Sequence, residues 1–302
     1  MKQAVDNLYE IFKSITDIDI NNLNEGDILL PTGKAISPSA AAHCLLEMKR
    51  TAIFLRGIKK AIDQKLENLD RAINILYAGC GPYGTLITPL LTLYSSDEIK
   101  ITFLDINQIS LNAVEKLVTN LGYENFIEDY VLEDASNYKI NKDYDIVISE
   151  TMQACLQNEP QVSIMQNLIP QLNEHAIFIP QQITIDAYLK NPGKWNDKKQ
   201  QRTGIESKIL KALFSVNKTN LDTNHFKEIV QIPENLNGFI ELMLHTTIII
   251  FKDEILGVND CSLNSPRKFY EFKERYANSI EFWYSLLPQP SIECRVLDFV
   301  EK

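Results

Sequence analysis

Basic residues are scarce in this 302-residue sequence: 30 Lys and Arg stand against 40 Asp and Glu, a formal charge of −10. Phosphate backbones are held by clustered Lys and Arg, so the balance speaks against a nucleic-acid binder and suits a cationic partner. Long apolar runs are missing as well. Stretches such as Ile248–Phe251 are strand-sized, far below the roughly 20 residues of a membrane span. The opening Met1–Asp6 lacks the apolar core of a secretory signal. Five cysteines (Cys44, Cys80, Cys155, Cys261, Cys294) and four histidines (His43, His175, His225, His245) are scattered without metal-ligand spacing. No metal site is expected, and the odd, dispersed thiols read as those of a reduced, cytoplasmic protein. Glycine (11) and proline (12) are too few for a collagen-like or low-complexity chain. What is present, 45% hydrophobic and 23% charged residues, is globular composition with room for about two folding units.

Three stretches follow from the periodicity. Residues 1–70 read as helical, with Leu8, Ile11, Phe12 and Ile15 on one stripe. Ser37-Pro38 opens a long helix with Ala41, Leu45, Met48, Phe54, Leu55, Ile58 and Ile62 on its apolar face. Asn24-Glu25-Gly26-Asp27 and Pro31-Thr32-Gly33 are turn signals before it. Residues 71–180 alternate strand and helix: strands at Ile73–Ala78, Ile101–Asp105, Tyr130–Leu132, Tyr144–Glu150 and Ala176–Pro180, helices at Leu86–Leu93, Ile109–Leu121 and Val162–Leu172. That is the pattern of an α/β, doubly wound, Rossmann-like sheet. Residues 181–302 read as a β-rich domain, with strands at Gln182–Leu189 and Phe239–Phe251, helix near Ile205–Phe214 and Arg267–Tyr276, and an exposed connection at Asn191–Gln201.

Gly79-Cys80-Gly81-Pro82-Tyr83-Gly84 sits between the first strand and the expected helix. Glycines there allow a tight turn and close approach of a ligand to the backbone, and a helix N-terminus would add orphan N–H groups. Asp105 ends the second strand, where a carboxylate can accept both hydroxyls of a ribose. The pattern reads as a nucleoside site; the alternative is a structural turn with Asp105 as a helix cap. Glu133-Asp134-Ala135 and Ser149-Glu150 end the third and fourth strands, placing acids where an adenine amino group and the chemistry beyond it would lie.

With these residues in place, the chain resembles the class I S-adenosylmethionine-dependent methyltransferases, and Ile75–Gly81 resembles their first motif, with Tyr77 where an acid is usual. Ser149–Glu159 resembles the double-glutamate loop of the protein arginine methyltransferases, S-E-x-M-x-x-x-L-x-x-E, through Ser149, Glu150, Met152, Leu156 and Glu159. Glu47-Met48-Lys49-Arg50-Thr51 resembles that family's acid-x-x-R-T. The chain departs at Thr151, where the family has tryptophan, and in lacking a T-H-W triplet; His245 is the nearest counterpart of its histidine, or else a buried strand histidine. The resemblance implies S-adenosyl-L-methionine as cofactor, bound by Arg50, Gly79, Cys80, Gly81, Gly84, Asp105, Ile106, Asp134, Ala135 and Glu150. It implies Glu150 and Glu159 as catalytic residues, Met152 and His245 toward the substrate, and a homodimer joined through an arm of the second domain.

Two carboxylates facing one pocket suit the forked donors of a guanidinium, so the expected acceptor is a cationic peptide, protein or small molecule. Three alternatives stand beside it: a small-molecule methyltransferase on the same scaffold, an NAD-linked oxidoreductase sharing the glycine turn, and an inactive cofactor-binding partner protein.

Overall fold

The computed structural model describes residues 2–21, 26–196, 201–272 and 275–301; Asn24 and Glu25 of the first turn signal lie outside them. Helix α1 (Lys2–Thr16) buries Val5, Tyr9, Phe12 and Thr16, the spacing of one helical face. Phe12 is where the periodicity placed it, but Ile11 is 48% exposed; the true stripe is rotated toward Tyr9, whose ring meets Tyr83. A short hairpin follows, β1 (Ile28–Leu30) with β2 (Gly33–Ala35). Ser37 then caps α2 (Pro38–His43), its side chain accepting the Ala40 N–H at 3.3 Å.

The expected single long helix is broken. A 3₁₀ turn at Cys44–Leu46 and Glu47, with ψ of 78°, separate α2 from α3 (Met48–Leu66). Glu47 leaves the helical region because its carboxylate is engaged elsewhere: Oε1 accepts the Ser262 N–H and Oε2 the Ser262 hydroxyl, both at 2.7 Å, and Oε2 also meets Arg50 at 2.9 Å.

Five parallel strands form the central sheet: β3 (Ile73–Ala78), β4 (Ile99–Asp105), β5 (Ile127–Leu132), β6 (Ile146–Ser149) and β7 (Ile177–Ile179). Their order is β5-β4-β3-β6-β7, so the chain reverses direction across the sheet beside β3, the switch point where open α/β sheets bind ligands. Helices α4 (Gln108–Asn120) and α5 (Gln161–Leu168) lie near their expected positions. The helix expected at Leu86–Leu93 does not form: residues 81–87 are turns and Thr88–Leu93 is 3₁₀. Gly84 at φ +51° interrupts it, Pro89 has no N–H to donate, and the Thr88 hydroxyl donates to the Tyr83 carbonyl at 2.8 Å.

The second half is antiparallel. β8 (Gln182–Asn191), β9 (Lys194–Asn196), β10 (Gln201–Thr203), β11 (Glu206–Asn217), β12 (Lys227–Gln231), β13 (Glu241–Phe251), β14 (Glu254–Leu256), β15 (Arg267–Glu271), β16 (Arg275–Ser285) and β17 (Ser291–Glu301) follow in order. One sheet runs β11-β8-β13-β14 with β15 also on β13, another β12-β16-β17. The helices expected near 205–214 and 267–276 are therefore strands: β11 pairs along β8 from Asn217↔Gln182 to Glu206↔Asn191, and β15 pairs with β13. Long-range pairing overrides a weak local preference here. The Asn191–Gln201 connection is likewise partly ordered, with β9 and β10 paired through Trp195↔Arg202; residues 197–200 lie outside the described residues.

Helix α3 joins the halves. Gly57 sits so close to β13 that an added Cβ would lie 2.7 Å from Ile250 Cγ2, while Arg56 and Lys60 pair with Glu254 and Asp253. The apolar core runs without a break from Ile58 and Ile75 through Ile179 to Ile183 and Ile250. No helix of the described residues is long and apolar enough to cross a membrane.

Candidate active site

The loops at the C-terminal edge of the parallel sheet surround a cavity of about 400 Å³. Arg50, Gly79, Cys80, Gly81, Asp105, Ile106, Asp134, Ala135, Glu150, Met152 and Glu159 all line it, so the structure gathers nearly every residue singled out from sequence.

On one side lies the glycine turn. Gly79, Gly81 and Gly84 all have positive φ, at 73°, 62° and 51°, a region that strains residues with a Cβ. The turn is crowded: a Cβ on Gly79 would lie 2.4 Å from Thr151 Cγ2, and one on Gly81 would lie 3.3 Å from the Ala41 Cβ. Asp105 ties the turn to β4, its Oδ2 accepting the Gly81 N–H at 2.8 Å and its Oδ1 the Asn107 N–H at 2.9 Å. The cap of α4 is Asn107, whose side chain accepts the Ile109 N–H at 2.9 Å; Asp105 therefore does not serve as the helix cap. Without an α-helix after the turn, the dipole contribution expected there is missing. Asp134 closes its own turn, accepting the Ser136 N–H at 2.8 Å.

On the other side is the loop from Ser149 to Glu159. Cys155, Leu156 and Asn158 take positive φ, and distant parts of the chain hold them there. The Cys155 N–H donates to Thr246 Oγ1, the Tyr284 hydroxyl donates to the Leu156 carbonyl, and the Asn158 N–H donates to the Pro290 carbonyl, each at 2.8 Å. The Lys34 N–H donates to the Asn158 carbonyl at 2.8 Å, and Gly33 lets the hairpin approach, since its Cβ would lie 2.7 Å from that same oxygen. Inside the loop, Gln161 Oε1 accepts the Thr151 N–H at 2.9 Å. Gln153 Oε1 accepts from Asn158 at 3.0 Å, and the Gln153 side chain also meets Glu159.

The result is two buried carboxylates on one cavity. Glu150 pairs with Arg50 through Oε2, while its Oε1 is buried with no hydrogen-bond partner among the described residues. Glu159 is 6% exposed, and burial pushes its carboxyl above the usual range, as it does that of Asp105. A group raised in the folded state resists ionising there, so its contribution to stability is lost as pH rises through its folded value. Glu159→Gln is therefore expected to melt no lower than the parent near pH 7. The difference in its favour should shrink as pH falls toward about 4 and be gone below it, where both states of the parent are protonated. Thermal melts at stepped pH check this; a variant that melts lower at pH 7 would contradict it.

Two expected site residues stand apart. Gly84 does not line the cavity: its Cβ would meet Thr88 Oγ1 at 2.8 Å, Phe103 Cε1 at 2.9 Å and Val114 Cγ2 at 3.1 Å, so it serves close packing beneath the turn. His245 is a 5% exposed residue of β13 and is absent from the cavity wall. Its ring lies 5.1 Å from that of Tyr188, and Nδ1, 3.9 Å from Asp186 Oδ2, has no hydrogen-bond partner among the described residues. Burial lowers its proton affinity. It is a buried strand histidine. Residues not foreseen include Ala41, Lys34, Leu263 and Arg267 in the wall, and Thr246 and Tyr284 behind the loop. The run Ala40-Ala41-Ala42 was the one available signal, since small residues permit close approach over the turn. Among the described residues, no group of three or more His, Cys, Asp or Glu could hold a metal ion.

No protein-family model matches the sequence, and no curated protein is similar to it by sequence. The structure is similar to the Trypanosoma brucei PRMT1 enzyme–prozyme heterotetrameric complex with AdoHcy, with a TM-score of 0.53 and 12% identity, over 82% of this chain and 87% of that one. At that identity the likeness establishes the fold: a five-stranded parallel sheet followed by an antiparallel β-rich region, as the sequence led one to expect.

Proposed function

We propose that this chain is an S-adenosylmethionine-dependent methyltransferase acting on a guanidinium or amine acceptor held by Glu150 and Glu159. The observation that carries the reading is the convergence of these two carboxylates with the Gly79–Gly81 turn, Asp105 and Arg50 on one cavity, where Glu150 Oε1 is buried and unpartnered among the described residues. A buried oxygen of that kind is costly unless a donor meets it. The fold likeness to a methyltransferase solved with AdoHcy supports the cofactor.

The residues fit that cofactor. Asp105 retains lone pairs for ribose hydroxyls, Asp134 and Ala135 share its cavity and would be offered to the adenine, and Arg50 offers a guanidinium for a carboxylate. Bound there, the cofactor supplies a methyl group already activated on a sulfonium. The protein's share is alignment, which is worth up to about 7–11 kcal/mol in favourable cases, and management of charge. An arginine-type acceptor stays protonated at ordinary pH. Glu150 and Glu159, each accepting N–H donors, draw positive charge toward two nitrogens and leave the third richer in electrons. Glu159, whose proton affinity burial raises, is suited to take the proton released when that nitrogen forms its new bond to carbon.

The test is calorimetry with S-adenosylhomocysteine and, separately, NAD, followed by methyl transfer to an arginine-rich peptide and to a panel of small guanidines and amines. Binding of S-adenosylhomocysteine with nitrogen-methylated products is expected. Tight NAD binding without S-adenosylhomocysteine binding would overturn the cofactor; transfer confined to oxygen or carbon acceptors would overturn the clamp.

A further inference from the structure

Among the described residues three cations line the cavity, Lys34, Arg50 and Arg267, and two of them already pair with carboxylates of this chain. Lys34 Nζ pairs with Asp27 Oδ2 at 2.7 Å, and Arg50 is shared between Glu47 and Glu150. Arg267, at the start of β15, is exposed, and no hydrogen bond or ion pair engages its side chain among the described residues.

Its position in the chain ties it to the glutamate loop. In register it stands opposite Leu244 on β13, two residues from Thr246, whose hydroxyl oxygen holds the Cys155 N–H of the glutamate loop. Asn264, three residues before Arg267, donates to the Thr246 carbonyl at 2.6 Å. The backbone of Arg267 is thus held near the middle of the loop that carries Glu150 and Glu159, close enough for its charge to act on Cys155. Residues of the N-terminal segment such as Leu30 and Ala41, and Ser262 and Leu263, also contribute to the cavity wall. Its volume of about 400 Å³ is near the lower end of small-molecule sites, roughly 300–1,000 Å³.

We infer that Arg267 receives an anionic group of the acceptor, which makes the acceptor a free zwitterion: a guanidinium or amine at one end and a carboxylate at the other. This rests on the reading of Glu150 and Glu159 given above. A guanidinium fork pairs with a carboxylate through two parallel hydrogen bonds. An arginine inside a polypeptide has no carboxylate on its α-carbon and would leave Arg267 unmatched.

Binding to the S-adenosylhomocysteine complex tests this with three probes: L-arginine, agmatine (the same guanidine without the carboxylate) and norvaline (the carboxylate without the guanidine). L-Arginine is expected to bind about 10- to 100-fold more tightly than agmatine, the range of a charge-assisted hydrogen bond. Arg267→Gln should bring L-arginine down to the agmatine level, leave agmatine within about twofold, and leave S-adenosylhomocysteine affinity unchanged; Arg267→Lys should restore part of the loss. Several results would overturn the assignment: equal affinity for L-arginine and agmatine, equal weakening of both by Arg267→Gln, weakened S-adenosylhomocysteine binding in that variant, or an arginine-rich peptide binding as tightly as the free amino acid. The two readings separate cleanly. Norvaline bound through Arg267 with no agmatine bound upholds Arg267 and removes the guanidinium clamp. Agmatine bound with no effect of Arg267→Gln does the reverse, and binding of none of the three removes both.

Discussion

On the proposed clamp, replacing Glu150 or Glu159 with glutamine is expected to lower kcat by about 100-fold or more, with S-adenosylhomocysteine binding within about threefold of the parent protein; this is the largest effect expected of any single substitution here. The magnitude follows from removing one fixed charge aimed at a charge-bearing acceptor in a buried site, typically worth 10²–10³ in rate. Glutamine keeps the shape and one acceptor oxygen, so Glu150→Gln can still meet Arg50 through its amide oxygen. A loss confined to turnover therefore reports on charge rather than collapse. Glu150→Gln/Glu159→Gln combined should cost little more than the worse single variant, because residues acting on one acceptor are far from additive. Single-turnover assays beside calorimetry decide the matter; either variant turning over at the parent's rate with intact binding removes the clamp.

The second large effect falls on Gly79. Gly79→Ala places a Cβ on a residue at φ +73°, which costs about 1–2 kcal/mol by itself, and sets that atom 2.4 Å from Thr151 Cγ2. The steric part pushes on the residue next to Glu150, so stability should fall by about 2–4 kcal/mol, the range of severe backbone and overpacking lesions. S-Adenosylhomocysteine affinity should drop at least about tenfold. Thr151→Ser removes Cγ2 but keeps the hydroxyl that donates to Gln161 at 3.1 Å. Gly79→Ala/Thr151→Ser should recover the steric share and leave the φ share unrecovered. Denaturant melts of the four proteins form a double-mutant cycle; no coupling between the two positions would show that the turn and the loop do not press on each other.

Much of this site was legible because its parts are local. Gly79–Gly81, Asp105, Asp134 and Glu150 each end a strand whose apolar run is plain in the sequence, and parallel strands deliver their C-terminal ends to one edge whatever joins them. The failures share a different cause. The helix after Gly84 reads well by its leucines, yet a positive φ, Pro89 and the Thr88 hydroxyl together defeat it. The break at Glu47 is invisible locally, since the group that draws its carboxylate away, Ser262, comes from the far half of the chain. The segments of strands β11 and β15 read locally as helices, but β pairing is decided by partners, here β8 and β13, and not by the segment itself. Thr246 and Tyr284 carry no motif; only the folded chain shows that they shape the glutamate loop.

The bond from Glu47 to Ser262 spans 215 positions, and that from Tyr284 to Leu156 spans 128. Closing such loops costs chain entropy before any contact repays it, and folds rich in distant contacts form slowly. The parallel sheet can gather its strands from nearby sequence, but the loop bearing Glu150 and Glu159 acquires its final shape only once β13 and β16 have docked. In refolding, secondary structure and the Gly79–Gly81 turn should therefore appear first and the final shape of the glutamate loop last, so that the proposed activity would return only at the end of folding.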